Sequence, residues 1–363
     1  MNSQTSEIQS GISRLLRLFL IVLAVPVSGR TALDGAEIVS RHSDQTKLTG
    51  SIQEVSRKGI QLKTSKGEVM QISADDIRQI LWEGEPVILR NARNADLSEK
   101  NDTALEGYRT ALKEIPEDQK RNREEVEFGI GRCLARRCLA RQGETDPSEA
   151  KEGLEQLTNF VKQSPESVHV LEAVLLTGDL SRLAKDVRGA SEQYKVLKES
   201  MTGTYPLLGD LGMAQLALDR KDYPGAKKAF QAVLDSPIKG PLVARRQQQA
   251  RIGLAEILIE AQSPAEALQL SDEVINSSSP EDSEILARGY LLRGKIHEQL
   301  GETKEALFDF LHVDLLFSQE KVVHAEALYR LASLWPALQY PERGLDARER
   351  LKGLYPDSEW AKK

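Results

Sequence analysis

The side chains best suited to nucleophilic or metal chemistry in this chain are five histidines and two cysteines. They stand at His42, His169, His297, His312, His324, Cys133 and Cys138. Zinc on a helix wants two histidines four apart around a glutamate, and no His-Glu-x-x-His occurs. Cys133 and Cys138 are five apart in a helical pattern. Five residues turn a helix by about 500° and raise it about 7.5 Å, so the thiols diverge and no disulfide is expected. Asp75 and Asp76 are adjacent carboxylates, but neighbours on a turn point apart, so they read as turn caps and not as an acid/base pair. Gly129-Ile-Gly131 lies inside a helical pattern with no strand before it, unlike a phosphate-binding loop. No Gly-x-Ser-x-Gly elbow is present. These spacings predict a chain that is not an enzyme and takes no metal or cofactor.

The elements that carry these residues come next. The 363 residues are 40% hydrophobic and 29% charged, a balance for folded, soluble structure. Aromatics are only 5%, which suits Ala/Leu-rich helices better than a β-sandwich. A net charge of −6 argues against nucleic acid as a partner. Near the N-terminus, Arg14 and Arg17 precede the apolar run Leu18–Val27. A basic flank and about ten apolar residues match a signal peptide, whereas a spanning helix needs about twenty. The expectation is a signal peptide over Met1–Gly29, or an uncleaved membrane anchor. Either places the protein outside the cytoplasm, in the periplasm or cell envelope.

Residues 36–85 read as a small β module. Glu37–Arg41, Lys47–Val55, Gly59–Thr64, Glu68–Ile72 and Arg78–Leu81 are short, rich in β-branched residues and partly alternating. Ala74–Ile77 reads as a single helical turn before the last strand. Lys47, Arg57, Lys58, Lys63 and Lys66 invite an RNA-binding reading, but residues 36–90 hold eight basic and eight acidic side chains. A neutral module has no electrostatic footprint for phosphates.

Residues 86–363 follow a 3.6-residue period, with Pro86 fitting a first helical position. Near-identical tetrapeptides, Pro147-Ser-Glu-Ala150 and Pro264-Ala-Glu-Ala267, reveal a repeat. Anchors at Ala104, Ala150, Ala190, Ala226, Ala267, Ala306 and Gly344 are spaced by 36 to 46 residues. Twelve before each anchor stand Ala92, Cys138, Gly178, Ala214, Ala255, Gly294 and Ala332, all small. Seven after stand Ala111, Leu157, Leu197, Val233, Val274, Val313 and Leu351, all apolar. Four after, Tyr108, Leu154, Tyr194, Phe230 and Phe310 are bulky, with Ser271 and Arg348 the exceptions. The reading is a helix–turn–helix unit whose small residues sit where the two helices cross. In the second unit Gly153 competes with Ala150 as the anchor. Asp146 and Ser263 are expected to cap second helices.

These offsets resemble the tetratricopeptide repeat (TPR) over residues 86–360, with a spacing stretched beyond that family's period of about 34. Gly294–Phe310 and Leu211–Phe230 are the units most like it. The β module resembles SH3-like and Sm-like small barrels in its pattern. The implied fold is mainly α: a TPR-like α-solenoid of about seven helical hairpins, preceded by a small five-stranded β-barrel-like module.

In the TPR pattern the first helices line a concave groove. The positions that carry over are Glu172, Asp179, Arg182, Gln215, Gln249, Glu256, Arg288, Lys295, Glu298, Gln299 and Tyr329. Leu175, Leu211, Ile252 and Leu291 lie between them. Such a mixed polar groove suits an extended peptide or a helix. Glu256 and Asp179 interrupt any basic cluster of the kind some family members use to grip a C-terminal carboxylate. The resemblance therefore implies a non-catalytic scaffold of the cell envelope whose partners are proteins or peptides. The alternative is an accessory subunit of an envelope enzyme or transport complex, its β module binding a wall polymer or a membrane partner. Membrane contact is otherwise expected only through an uncleaved N-terminal segment.

Overall fold

The computed structural model describes residues 37–363, apart from Gln45, residues 141–145 and Pro241. The expected signal peptide Met1–Gly29 lies outside the described residues. Ala36–Lys363 cluster as one compact unit.

Five strands come first: β1 Glu37–Arg41, β2 Lys47–Ser56, β3 Gly59–Thr64, β4 Val69–Ser73 and β5 Ile77–Leu81. They pair antiparallel in the order β4-β3-β2-β1-β5, with a 3-10 turn, Ala74–Asp76, leading into β5. Alternation places Val39, Ile52, Ile60, Leu62, Ile72 and Ile80 in one core, so a period of two decided which face is buried, and Ile77 joins that core across a register shift at the start of β5. Val168, in the turn before the third hairpin's first helix, joins that core.

Fourteen helices follow among the described residues, as seven hairpins. They are α1 Val87–Leu97 and α2 Asn101–Glu114; α3 Lys120–Ala140 and α4 Pro147–Gln163; α5 Val170–Leu183 and α6 Val187–Lys198; α7 Tyr205–Asp219 and α8 Tyr223–Leu234; α9 Val243–Glu260 and α10 Pro264–Ser277; α11 Ser283–Leu300 and α12 Thr303–Leu316; α13 Lys321–Ala337 and α14 Pro341–Leu354. Each helix packs on the next in sequence, and each first helix also touches the first helix of the following hairpin. Second helices pack chiefly on the first helices either side of them. The row of first helices is therefore the closer, inner side of a stacked array, as in a solenoid.

The repeat markers hold this stack together. In six hairpins the anchor is fully buried, and the apolar residue seven on is buried in all seven. The small residue of a first helix seats the ring of its partner. A Cβ on Gly178 would lie 2.8 Å from Tyr194 Cε1, and one on Gly294 would lie 2.6 Å from Phe310 Cε1. Real Cβ atoms do not approach that closely, so the ring and the glycine require each other.

The second hairpin departs from the Ala150 register. Its buried residues are Gly153, Leu157 and Phe160, while Ala150 and Leu154 are only half-buried. Gly153 is thus the anchor: a Cβ there would lie 3.3 Å from Leu134 Cβ and 3.8 Å from Ala135 N. The reason is length. Helix α4 begins one turn earlier relative to its buried face than the other second helices, and a longer connection precedes it. Two helix starts also differ from expectation. Pro86 is the N-cap of α1, one position before the first helical residue. Ser263 occupies the N-cap of α10 without a side-chain cap, whereas Asp146 caps α4 by accepting from Ser148 N at 2.8 Å.

Candidate functional site

The inner face is built by one stripe of each first helix, so its chemistry depends on what neighbouring first helices offer each other. Of the eleven predicted groove residues, ten are half-buried and Gln299 is exposed. Most of them bond across the stack. Glu172 on α5 lies 3.9 Å from Arg132 and 4.0 Å from Arg136 of α3. Those two arginines also hold Asp96 of α1, which is almost fully buried and accepts from Tyr108 Oη at 3.2 Å as well. Arg182 on α5 pairs with Asp219 at the end of α7 at 2.8 Å. Arg288 on α11 reaches Glu256 of α9 at 4.0 Å, and Gln299 donates to the Ile259 carbonyl at 3.2 Å. Between α11 and α13, Lys295 pairs with Glu326 at 3.4 Å and Glu298 with Arg330 at 3.0 Å. Burial pushes the Glu298 carboxyl above the usual range, and Arg330 opposes that shift.

Two predicted residues, and the Ile252 that lies between them in sequence, are used within the array's own architecture. Asp179 accepts the Tyr194 hydroxyl at 2.7 Å inside its hairpin, and burial raises its carboxyl. Ile252 is fully buried core. Tyr329 packs tilted against Trp360, ring centroids 5.2 Å apart, and the Trp360 ring also receives Arg330 and Lys363. Gln249 accepts from Arg246 at 3.3 Å on α9, and Gln215 sits half-buried on α7.

Among the described residues no charge pair joins α7 to α9, and a cleft of about 410 Å³ opens between them. Leu218, Tyr223, Ile257 and Ile259 give it apolar walls. Asp219, Lys221, Glu256, Glu260 and Lys295 give it charges of both signs. Two predicted residues, Glu256 and Lys295, thus meet here. Sequence offsets alone missed Tyr223 and Lys221, because they belong to the turn and the start of the second helix.

The sheet meets the opposite, N-terminal ends of the first helices. Trp82 Nε1 donates to Glu125 Oε1 at 2.9 Å, and His169 Nε2 lies 3.1 Å from the same oxygen. Arg93 sits buried between Glu125, at 3.1 Å, and Glu85. Burial alone would raise the Glu125 carboxyl. His169 and Arg93, with hydrogen bonds from His169 and Trp82, outweigh it and hold the group well below the usual carboxylate range. Asp76 closes the β1–β2 turn by accepting from Arg41 Nε at 2.9 Å and Ser43 N at 2.8 Å. The expected capping role of the Asp75–Asp76 pair is seen, although Asp75 caps an element far away in sequence.

The histidines are placed as structural groups. His297 at the rim bonds Glu302 at 2.6 Å. His324, fully buried, links Asp314 at 2.8 Å and the Tyr355 hydroxyl at 2.7 Å, pinning the last hairpin. Cys133 and Cys138 are buried free thiols. Among the described residues no group of three His, Cys, Asp or Glu side chains is placed to hold a metal ion. Among those residues, too, no helix is long and apolar enough to cross a membrane.

Fold and inner face together define a TPR-like α-solenoid preceded by a five-stranded antiparallel sheet. Residues 145–313 match a family model described as a tetratricopeptide repeat-like domain. Among solved structures, a tetratricopeptide repeat protein from Parabacteroides merdae is similar at 17% identity and a TM-score of 0.40, over 67% of this chain and 97% of that one. Pseudomonas aeruginosa PilF is similar at 14% identity and a TM-score of 0.42, over 66% and 95%. A Rap protein complexed with competence and sporulation factor is similar at 17% identity and a TM-score of 0.47, over 76% and 77%. Likenesses this distant assign no ligand to this chain. No curated protein matches it.

Proposed function

We propose that the protein is a non-catalytic interaction scaffold of the cell envelope that receives a peptide or helix of a partner protein along its inner face, centred on the α7–α9 cleft. The single observation that carries this reading is the break in the ladder. Rungs of paired charge join α3 to α5, α5 to α7, α9 to α11 and α11 to α13. Where the rungs stop, apolar wall and unequal charge face outward together, the composition of a groove that orients a peptide. The envelope location rests on Arg14, Arg17 and the apolar run after them.

A photo-crosslinking residue at Gln299, on the inner face, is expected to trap one discrete partner in intact cells. The same residue at Lys228, exposed on the outer helix α8, should trap none, and Glu256→Arg should weaken the Gln299 product at least fivefold. Equal products at both positions would refute the inner-face reading. Fractionation of cells expressing the chain with and without residues 1–29 tests the location: loss of the envelope fraction on deletion is expected.

A further inference from the structure

One acidic side chain of the inner face lacks the cation that its register has elsewhere. In the third hairpin Arg182, eight residues before the anchor Ala190, reaches Asp219, seven before the anchor Ala226, at 2.8 Å. One unit further on, the same two positions hold a different pair. Glu260 stands seven before Ala267, in the place of Asp219, and Leu218 stands eight before Ala226, in the place of Arg182. Both line the α7–α9 cleft. The acid of the rung is therefore kept and its guanidinium is replaced by an aliphatic wall. Glu260 is exposed and forms no ion pair among the described residues.

The surroundings favour a cation there. Glu256, four residues before Glu260 on α9, shares its helix face, and its own cation, Arg288, is 4.0 Å away. Helices α7 and α9 end at Asp219 and Glu260, so the cleft is lined at two helix C-termini, which carry negative partial charge. Asp219 is already met by Arg182, and Lys295 is held by Glu326 at 3.4 Å. Lys221 stands exposed on the turn. An acidic guest would meet like charge, and a purely apolar one would leave both glutamates of α9 unmatched. A lysine ammonium is a point charge, whereas the planar fork of a guanidinium serves two carboxylates at once and lies flat on an aromatic ring. Tyr223 supplies such a ring, and Leu218 and Ile257 a dry surface for a methylene stem.

We propose that the α7–α9 cleft is a receptor for an arginine side chain of the partner protein. The stem lies on Leu218, Tyr223 and Ile257, and the guanidinium is shared by Glu256 and Glu260. The partner thus completes from outside the rung that Arg182 completes from inside one unit earlier. The proposal rests on the reading that a partner segment occupies this cleft, and adds which side chain enters it.

The probe is the fluorescein-labelled, C-terminally amidated peptide Gly-Ala-Leu-Arg-Leu-Ala-Gly, titrated against the intact chain and followed by anisotropy. It is expected to bind at least tenfold more tightly than its citrulline analogue, which keeps the shape without the charge, and more tightly than its lysine analogue. Glu260→Gln should weaken it at least fivefold. Glu266→Gln, which removes one exposed charge from the outer helix α10, should not. Leu218→Arg supplies the missing guanidinium internally and should abolish binding, whereas Ala232→Arg, the same charge exposed on the outer helix α8, should leave it unchanged. Equal binding of the three peptides, or binding of none, overturns the proposal. A preference for arginine that survives both Glu260→Gln and Leu218→Arg, or falls equally with Glu266→Gln and Ala232→Arg, overturns it as well, because the charge is then read elsewhere or in general. Circular dichroism reports whether Leu218→Arg folds, and Glu260→Gln, at an exposed position, decides alone if it does not. The Gln299 crosslink separates the two readings: no product there sinks the inner-face reading, while a product beside equal peptide binding sinks the arginine alone.

Discussion

At the scale of single residues, the array depends on rings seated against glycines. Tyr194 is held on two sides: by Gly178 of its own hairpin and by Gly212 of the next, where a Cβ would lie 2.4 Å from its ring. Phe230 meets Gly253 in the same way, at 2.1 Å. Ring and backbone are both buried, so a methyl group at Gly253 has nowhere to go. Gly253→Ala is expected to destabilise the protein by about 1–3 kcal/mol, the usual cost of overpacking, although alanine favours helix. A urea titration followed by circular dichroism measures this, and an unchanged midpoint would show that the ring can shift. The buried Asp314 gives a second test. Burial opposes its ionisation, but hydrogen bonds from His324 and Arg350 bring its pKa down to about 2 from an ordinary 3.8. Its folded value is depressed, so its stabilising contribution is present above about 3.8 and is lost as the pH falls toward 2. Thermal midpoints measured from pH 5 to pH 2 should fall in that window for wild type, and less steeply for Asp314→Asn.

At the scale of elements, the hairpin turns share one device. In six of the seven, an N–H just past the first helix (three residues on, or two for Glu302) bonds back five positions: Lys100 to Ala95, Asp186 to Ser181, Asp222 to Ala217, Ser263 to Leu258, Glu302 to His297 and Tyr340 to Trp335. The residue just before each donor has positive φ: Glu99, Lys185, Lys221, Gln262, Gly301 and Gln339. This left-handed helix ending is ordinarily built on glycine, and only Gly301 follows that rule. Lys221→Gly should relieve roughly 1 kcal/mol of backbone strain. Part of that is offset by the freer unfolded chain, leaving a net gain of about 0.5 kcal/mol in urea unfolding. The same turns explain what was legible in the sequence. Anchors, small residues and apolar positions follow from periodicity, so about seven hairpins could be read, and five strands with ends correct to a residue. The turns could not, because lysine and glutamine in a glycine position carry no signal. The second hairpin misread its register because its extra turn of helix shifts the buried face without changing residue types. Of the candidate site, the inner-face stripe was legible from offsets. The cleft and the Asp75 contact were not, since each joins residues that no local pattern relates.

At the scale of the whole molecule, a stacked array is stabilised by nearest-neighbour contacts, so damage at one end stays near that end. The first hairpin has no hairpin before it, and the strand-to-helix junction supplies part of what one would have given. Trp82 and Glu85 complete the hydrogen bonding of the buried Glu125–Arg93 pair, which ties α1 to α3. A chain of residues 86–363 retains every helix but loses both groups. Arg93 would then keep one of its two carboxylates, and Glu125 would lose the indole N–H. Removing one partner from a buried charged cluster typically costs about 3–5 kcal/mol, because the remaining charge stays out of water. Residues 86–363 should therefore melt below residues 37–363 in a thermal scan, and Glu85→Gln in the longer chain should reproduce part of the fall. Hydrogen exchange would locate the damage: faster in α1–α3 and unchanged in α11–α14. If both chains melted together, or exchange rose evenly along the array, the sheet would be an appendage and the stack a single cooperative block.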